Sequence, residues 1–277
     1  MAIPSFFIHN MNYASLNELI LDTKQLLRSI KRNEVSLVVG IPRSGMIPAT
    51  IIACELQKPL IVASETTVIP PDTKGIVLVV DDSVANGSKM GSILNGLKAP
   101  ADAKIVRAAI YSTRTNSRHV DMYARVIRLP RFFEWNMWTH PKITLTALDM
   151  DGVLCEDPTV PDDDGEAYVE AITNAKPLHL PKYKVALIAT GRLERWRSIT
   201  EKWLRQNNVS FEKLVMSSHN TSNERRKAKD VPYMKAQAYA SSKALLFVES
   251  EDRQAQRIHN ACGLPVLSLG KGVVYRK

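Results

Sequence analysis

The chain has 277 residues and a formal net charge of +9, with 45% hydrophobic and 23% charged residues. This length favours about two domains, each large enough to bury its own core. The basic residues are spread along the chain and form neither a basic tail nor an aromatic-basic ladder, so the composition does not predict a nucleic-acid partner. The positive charge instead suits anionic small molecules or an anionic polymer.

Cysteine usage and the N-terminal residues indicate the compartment. Cys54, Cys155 and Cys262 have neither metal-ligand spacing nor an even count, which predicts a reducing environment. The N-terminal residues lack the charged start and the apolar stretch of a signal peptide, and no apolar run approaches about 18 residues. We therefore expect a soluble, cytoplasmic protein without a membrane span.

Helix-like and strand-like segments alternate along the first half of the chain. Ser15 and Glu18 have the capping-box spacing, which predicts a helix beginning at residue 16. The predicted strands are VSLVVG, PLIVA, GIVLVVDD, AKIVRAAIYS and ARVIRL, and the predicted helices between them are GMIPATIIACELQ and GSKMGSILNGLK. Nearly continuous Val, Ile and Leu without polar alternation indicates strands buried on both faces, as in a parallel sheet covered by helices.

A second alternating series follows the aromatic, proline-bounded segment PRFFEWNMWTHP. Its predicted strands are ITLTALDMDG, KVALIATG, FEKLVMSS, ALLFVES and LPVLSL, and its predicted helices are RWRSITEKWLRQN, VPYMKAQAYA and DRQAQRIHNAC. The sequence therefore predicts an α/β protein of two Rossmann-like domains, residues 1–135 and 136–277. Each domain is expected to be a mainly parallel sheet flanked by helices.

Two aspartates and a loop of small residues end the strand GIVLVV, where ligands of parallel sheets bind. Asp81 and Asp82 are hydrogen-bond acceptors that suit sugar hydroxyls or Mg²⁺. The loop that follows could bind a phosphomonoester through backbone N–H groups, short polar side chains and one cation. These groups belong to Ala85, Asn86, Gly87, Ser88 and Lys89. The pattern favours a sugar-phosphate site over the alternative that the two aspartates only end a strand and cap a turn.

The stretch VLVVDDSVANGSK resembles the phosphoribosyl-pyrophosphate (PRPP) signature of type I phosphoribosyltransferases. The resemblance implies that Asp81 and Asp82 hold the ribose hydroxyls, with Asp82 also a catalytic residue, while the loop binds the 5-phosphate. The chain departs from the family at Ala85 and Asn86, where threonines are usual, and its segment SETTVIPPDTK is shorter than the family's flexible lid.

An upstream stretch, VVGIPRSGMIPA, resembles the pyrophosphate loop of the same family. The resemblance implies that Arg43, Ser44 and Gly45 meet the diphosphate through a guanidinium and exposed backbone amides. The implied reaction is substitution at ribose C1, with diphosphate as the leaving group.

The second series opens with ALDMDGVLC, which places Asp149 and Asp151 two residues apart after an apolar strand. One carboxylate can attack phosphorus while the other protonates the leaving oxygen and later activates water. The motif resembles the DxDG signature of haloacid dehalogenase phosphatases, which implies Asp149 as nucleophile and Asp151 as acid/base. In the same family pattern, Thr190 in ALIATGR would hold the phosphoryl group and Lys235 in VPYMKAQAY would neutralise it.

The phosphatase resemblance also implies a magnesium ion. Its ligands would be Asp149, Asp151, Glu249 and Asp252. Glu251 competes with Asp252 for the last position, and Lys227 and Lys229 compete with Lys235, although such a basic run is typical of a solvated helix start. The short intervals from Asp151 to Thr190 and from Thr190 to Lys235 leave no room for a large cap domain, which predicts an open site.

Together the two halves predict a bifunctional enzyme. The arrangement resembles bacterial fusions that build ribofuranose-containing polysaccharides: PRPP donates 5-phosphoribose to an acceptor glycan, and the second domain removes the 5-phosphate. Such an acceptor can be lipid-linked, with peripheral association at the membrane. Two alternatives stay open, namely a nucleobase acceptor giving a nucleoside, and a PRPP-sensing module beside an active phosphatase. The acceptor and the oligomeric state are left open by the sequence.

Overall fold

A computed structural model describes residues 11–113, 118–160 and 165–276. The chain divides into two compact units: residues Asn12–Trp135 form one, and Asn136–Lys277 belong to the other. Both units combine mainly parallel sheets with flanking helices, as the sequence predicts for an α/β protein. Across the described ranges, every helix is too short or too polar to cross a lipid bilayer.

The unit of residues 12–135, called the first unit below, contains a parallel sheet and a short strand pair. Its elements are β1 (Asn12–Ala14), α1 (Leu16–Leu27), β2 (Val35–Gly40), α2 (Met46–Leu56), β3 (Leu60–Val62), β4 (Gly75–Ser83), α3 (Ser88–Gly96), β5 (Ala103–Ser112), β6 (Met122–Val126) and β7 (Arg131–Phe133). Within the described residues the sheet has the order β3-β2-β4-β5-β6, with every neighbouring pair parallel. β1 pairs in parallel with β7.

Strand β4 passes through the middle of this sheet and is buried on both faces. Leu78 and Val80 belong to a core cluster that includes residues of α1 and α2. Val77 and Val79 belong to a second cluster that includes residues of α3. Asp81 and Asp82 lie within β4 near its carboxyl end, directly after the apolar residues that both faces bury.

The second unit is built around another mainly parallel sheet. Its elements are β8 (Thr146–Leu148), α4 (Glu166–Thr173), β9 (Val185–Leu193), α5 (Arg197–Gln206), β10 (Phe211–Ser217), α6 (Ser222–Ala228), α7 (Val231–Ala240), β11 (Leu246–Glu249), α8 (Asp252–Cys262), β12 (Val266–Ser268) and β13 (Val273–Tyr275). In the part of the chain that is described, the strand order is β10-β9-β8-β11-β12-β13, and only β13 is antiparallel to its neighbour.

Some predicted elements differ from those observed. The expected strand ITLTALDMDG is shortened to Thr146–Leu148, because Pro141–Leu145 form a 3₁₀ helix whose first turn is capped by the His140 ring. The expected strand ARVIRL instead begins earlier and covers Met122–Val126. The sequence did not predict the helices α4 and α6 or the three-residue strands β1, β7 and β13. All five elements are too short to show a clear hydrophobic period.

The capping box at the start of α1 is confirmed, and it supports a testable prediction. The Glu18 N–H donates to Ser15 Oγ (3.2 Å), and the Ser15 N–H donates to Glu18 Oε2 (2.9 Å). We expect Ser15→Ala to lower the free energy of unfolding by about 1 kcal/mol, because an N–H at the helix start loses its acceptor. Urea denaturation measures this, with Asn17→Ala on the exposed surface of α1 as the control. Equal stabilities for Ser15→Ala and Asn17→Ala would contradict the prediction.

Candidate functional site

The aspartate pair of the first unit lies buried at the carboxyl end of β4. Asp81 and Asp82 are 5% and 6% exposed. An Asp81 carboxylate oxygen accepts the Asp82 N–H (2.9 Å), and the Trp135 indole N–H donates to Asp82 Oδ2 (2.8 Å). Trp135 lies in FFEWNMW, a segment that the nucleobase alternative could use for stacking, but its contact with Asp82 was not predicted, since only the fold brings the end of the first unit back to β4.

Burial and mutual repulsion perturb this pair. Desolvation, followed by the charge of Asp82, raises the pKa of Asp81 to about 8. At neutral pH Asp81 therefore tends to keep its proton, and the pair can donate as well as accept hydrogen bonds. Such a pair suits vicinal hydroxyl groups, each of which is both a donor and an acceptor.

The loop between β2 and α2 lies directly against Asp81. A Cβ atom on Gly45 would lie 2.5 Å from the Ile41 carbonyl oxygen and 2.7 Å from Asp81 Oδ1, so only glycine permits this approach. Lys89, in the first turn of α3, donates through its ammonium group to the Pro42 carbonyl. The structure thus brings the two predicted loops, residues 41–45 and 84–89, to one place at the sheet edge.

The loop before α3 shows how the chain uses its unusual Asn86. Asn86 Oδ1 accepts both the Ser88 N–H (3.2 Å) and the Ser88 hydroxyl (2.8 Å), so two predicted phosphate donors already have an internal acceptor. Gly87 has a φ of +73°, and a Cβ there would lie 2.4 Å from the His119 ring. His119 is a neighbour of this loop that sequence reasoning missed, because no motif surrounds it.

The second unit places a buried ammonium group between two carboxylates. Lys235, 1% exposed on α7, has its Nζ 2.8 Å from Asp149 Oδ2 and 2.8 Å from Glu249 Oε2. A third acceptor, Gln254 Oε1, is 3.2 Å away. The carboxylates follow or end the adjacent strands β8 and β11, so the predicted Asp149, Lys235 and Glu249 are brought together.

The charges of this cluster depend on one another. Desolvation, followed by the charge of Glu249, raises the pKa of Asp149 well above its usual value. Burial alone would lower the pKa of Lys235, but the Asp149 and Glu249 carboxylates outweigh burial and raise it. Lys235 therefore stays charged and partly compensates the two buried acids, which a buried carboxylate pair requires.

Asp151 is held by an arginine that the sequence analysis did not assign. Arg192 is fully buried; its Nη2 lies 2.5 Å from Asp151 Oδ1, and its Nε lies 3.1 Å from both carboxylate oxygens. Asp151 Oδ1 also accepts the Cys155 thiol (3.5 Å). Burial lowers the pKa of Arg192, but Asp151 outweighs this effect and the net pKa rises. The sequence offered one indication of Arg192, because this residue directly follows Thr190 and Gly191 in the motif ATGR.

A cavity of about 630 Å³ opens above Asp149, and Asp151 and Lys235 also line it. Two other predicted residues do not line this cavity. Thr190 is fully buried and its hydroxyl accepts the Arg192 N–H (3.2 Å), while Gly191 lines the cavity instead. Asp252 is directed to Lys271 (2.7 Å) and the Tyr275 hydroxyl (2.6 Å), since the first turn of α8 faces β13. Glu251, the competing residue, does line the cavity, as does Lys229.

The predicted magnesium ligands do not form a metal site as they are arranged. Within residues 11–113, 118–160 and 165–276, no three His, Cys, Asp or Glu side chains converge to hold an ion. Asp149 and Glu249 share Lys235, and Asp151 is bound by Arg192. Cations of the protein thus occupy oxygens that a hard metal ion would need. Mg²⁺ stays a prediction of the resemblance.

The comparisons with known proteins concern part of the chain. No protein-family model and no curated protein matches it. Similar solved structures include a purine phosphoribosyltransferase from Pyrococcus horikoshii Ot3, with 21% identity and a TM-score of 0.39 over 46% of this chain and 94% of that one. A xanthine-guanine-hypoxanthine phosphoribosyltransferase from Helicobacter pylori has 18% identity and a TM-score of 0.40 over 46% and 93%. An adenine phosphoribosyltransferase from Rhodothermus marinus has 18% identity and a TM-score of 0.31 over 40% and 81%. Likenesses of this degree do not establish a family or an activity for this chain.

The raised pKa of Asp81 predicts a pH-dependent stability. Its native pKa is about 8, whereas an unfolded aspartate titrates near 4, so the native state holds a proton that the unfolded chain releases. The wild-type free energy of unfolding should therefore fall as pH rises from about 4 to about 8, by at most about 1.4 kcal/mol per pH unit from this group. The side chain introduced by Asp81→Asn cannot ionise. We therefore expect the free energy of unfolding of this variant, relative to that of wild type, to increase as pH rises through the same range.

Urea denaturation between pH 5 and pH 8 tests this, with Asp121→Asn as the matched control. Arg107 lowers the pKa of Asp121, so that carboxylate is ionised in both states throughout this range. The stability difference caused by Asp121→Asn should stay constant from pH 5 to pH 8. A constant difference for Asp81→Asn as well would show that Asp81 does not retain its proton.

Because Lys235 is buried between two carboxylates, its removal should strongly lower the free energy of unfolding. Lys235→Met leaves Asp149 and Glu249 without their shared cation, and we expect a loss of about 3 kcal/mol or more in the free energy of unfolding. The loss should be smaller at pH 5 than at pH 8, because the buried carboxylates can take up protons. Lys243→Met, which breaks an exposed ion pair with Glu212, is the control and should change stability little. A Lys235→Met protein as stable as that control would contradict the proposed charge balance.

Proposed function

We propose that the chain carries two activities that act in series. Residues 1–135 would transfer 5-phosphoribose from PRPP to an acceptor sugar of a polysaccharide, and residues 136–277 would hydrolyse the 5-phosphate. The observation that carries the proposal is the approach of the Gly45 loop to Asp81, because it joins two loops suited to phosphate on either side of a carboxyl pair suited to ribose.

In the transfer step, the oxygen of an acceptor hydroxyl attacks ribose C1 while the bond from C1 to the diphosphate oxygen breaks, and the hydroxyl proton leaves with the diphosphate. Asp81 and Asp82 would bind the ribose hydroxyls, and Asp82 would oppose the positive charge that develops on the ring. Arg43, which is exposed beside Gly45, would neutralise the departing diphosphate. Attack on the face opposite an α-diphosphate gives a β-linked product.

In the hydrolytic step, an Asp149 oxygen attacks phosphorus and the bond to the ribose O5 breaks. Lys235 would balance the negative charge of the nucleophile and the phosphoryl group. Asp151 would carry a proton to the leaving oxygen and then take one from the attacking water, while Arg192 fixes its orientation. The ion pairs of Asp149 with Lys235 and of Asp151 with Arg192 support the hydrolytic step.

Two observations favour other uses of the first site. Trp135 is half-buried beside Asp82 and stacks on Phe133 at a ring separation of 4.8 Å, so an aromatic face near the ribose position would also suit a nucleobase acceptor. Asn86 Oδ1 accepts hydrogen bonds from the N–H and the hydroxyl of Ser88, so these two groups are less available to bind a phosphate. This observation favours the PRPP-sensing alternative.

The serial scheme predicts what the Asp149→Asn protein makes. With PRPP and an acceptor panel of glycans and nucleobases, this variant should accumulate a 5-phosphorylated ribosyl product, whereas wild type should release the dephosphorylated product and inorganic phosphate. Mass spectrometry of the products and a pyrophosphate assay measure both steps. Asp102→Asn, on an exposed turn, is the control and should behave as wild type.

Each alternative has its own outcome in this experiment. Turnover with nucleobases but not with glycans supports the nucleoside alternative. Binding of PRPP without pyrophosphate release from any acceptor supports the sensing alternative. Loss of phosphoribosyl transfer itself in Asp149→Asn would refute the serial scheme, because the second step would then not be separable from the first.

A further inference from the structure

Arg131 is a buried cation that lies outside the predicted motifs of the first unit. It belongs to β7 and is 6% exposed. Its Nη1 donates to the Ile127 carbonyl (3.0 Å), and its Nη2 donates to the Val84 carbonyl (3.2 Å). Val84 is the first residue after β4, and its own N–H donates to the Tyr111 carbonyl (2.9 Å). Both backbone polar groups of Val84 are therefore bonded, which fixes the start of the loop of residues 84–89.

Trp135 and Arg131 both act on the Asp82 carboxylate. The Trp135 indole N–H donates to Asp82 Oδ2 (2.8 Å). An indole N–H can only donate, so this carboxylate oxygen serves as the acceptor. Arg131 acts through its charge: burial lowers the pKa of Arg131, and the Asp82 carboxylate opposes that effect. Asp82 is thus oriented by a hydrogen bond and attracted by a buried cation.

Aromatic packing holds the Trp135 and Arg131 side chains in place. The Phe133 ring stacks on the Trp135 ring with centroids 4.8 Å apart, and on the Tyr111 ring with centroids 5.3 Å apart. The Arg131 guanidinium lies 5.1 Å from the centre of the Phe133 ring. Strand β7, which carries Arg131 and Phe133, is itself paired with β1. Turning either side chain away from β4 would disrupt these contacts.

We propose that Arg131 and Trp135 form a clamp that positions Asp82 and the loop of residues 84–89 for the ribose 5-phosphate part of PRPP. The inference rests on the proposed transfer activity, and it adds two positioning residues that act through Asp82 and Val84. An oriented carboxylate loses less freedom when it binds a ribose hydroxyl, and a fixed loop loses less when it binds a phosphate. The diphosphate is assigned to a different loop, residues 43–45, so the clamp should act on one part of the ligand.

The first test compares calorimetric binding of PRPP with that of pyrophosphate, which lacks the ribose. Trp135→Phe keeps an aromatic ring beside Phe133 and removes the N–H. We expect this variant to bind PRPP about tenfold more weakly than wild type, because Asp82 loses a charge-assisted hydrogen bond. Its affinity for pyrophosphate should stay within about twofold of wild type, whereas general damage to the unit would weaken both ligands.

Trp203→Phe in the second unit is the matched control. The Trp203 indole N–H donates to the Ala175 carbonyl, also at 2.8 Å, so the substitution removes a comparable hydrogen bond. This variant should have a lower thermal stability and unchanged affinities for both ligands. Thermal unfolding of every variant checks that the fold is intact.

Arg131 is tested with a third probe, ribose 5-phosphate. In Arg131→Met the Val84 carbonyl loses its donor at the start of the loop. PRPP and ribose 5-phosphate should each bind about tenfold more weakly to this variant, and pyrophosphate should bind as to wild type. Arg131→Lys keeps the charge but cannot reproduce the planar fork that bonds two carbonyls, so it should recover only part of the affinity.

The outcomes separate the clamp from the proposed function. A loss of affinity confined to the ligands that contain ribose supports the clamp. Equal PRPP affinities for wild type and Trp135→Phe, or a parallel loss for pyrophosphate, overturn it. If wild type binds PRPP but releases no pyrophosphate with any acceptor, the transfer proposal fails, and the binding comparison still decides the clamp. If wild type binds none of the probes, Asp82 is not a ribose site and both proposals fail.

Discussion

A buried ammonium group between two carboxylates organises the second unit. Lys235 on α7 lies within 2.8 Å of Asp149 and of Glu249, which come from the adjacent strands β8 and β11. Without the cation, two acids removed from water would repel each other across the sheet edge. The same contact keeps a nucleophile-type carboxylate oriented toward a cavity, so the ion pairs serve both the fold and the proposed chemistry.

The first unit relieves the repulsion between its two buried acids in a different way. Asp81 and Asp82 lie side by side at the end of β4, and their mutual charge together with burial raises the pKa of Asp81 to about 8. Retention of a proton relieves the repulsion, whereas in the second unit Lys235 relieves it. A protonated pair suits neutral hydroxyl groups, whereas an ion-paired carboxylate suits attack on phosphorus, so the two sites differ in the chemistry they can support.

Both candidate sites lie at the carboxyl ends of parallel strands because the chain leaves such strands through loops on that edge. Gly45 and Gly87 show the local requirement: one lies too close to Asp81 for a side chain, and the other has a φ of +73° beside His119. Of these two glycines, Gly45 is buried and Gly87 is half-buried. In the second unit a cavity lies at this edge, lined by Asp149, Asp151 and Lys235 among others.

The α/β class, most of the longer helices and strands and the identity of the charged clusters could be predicted from the sequence. Long apolar runs and capping residues act locally, so α8 and β2 were predicted over the residues where they lie. β1 and β7 could not be predicted because each depends on a partner distant in the chain, and β13 has only three residues. The strand before Asp149 was predicted too long for a related reason, since Pro141 and the His140 ring favour a 3₁₀ turn.

The sequence by itself determined which acids and bases are present at the ends of strands, and in which order. Only the tertiary structure decided how they are paired: Arg192 pairs with Asp151, Trp135 with Asp82, and Asp252 with Lys271 and not toward the cavity. The physical reason is that a buried or partly buried polar group takes whichever partner the packing of distant elements places within hydrogen-bond reach, and sequence spacing does not encode that distance.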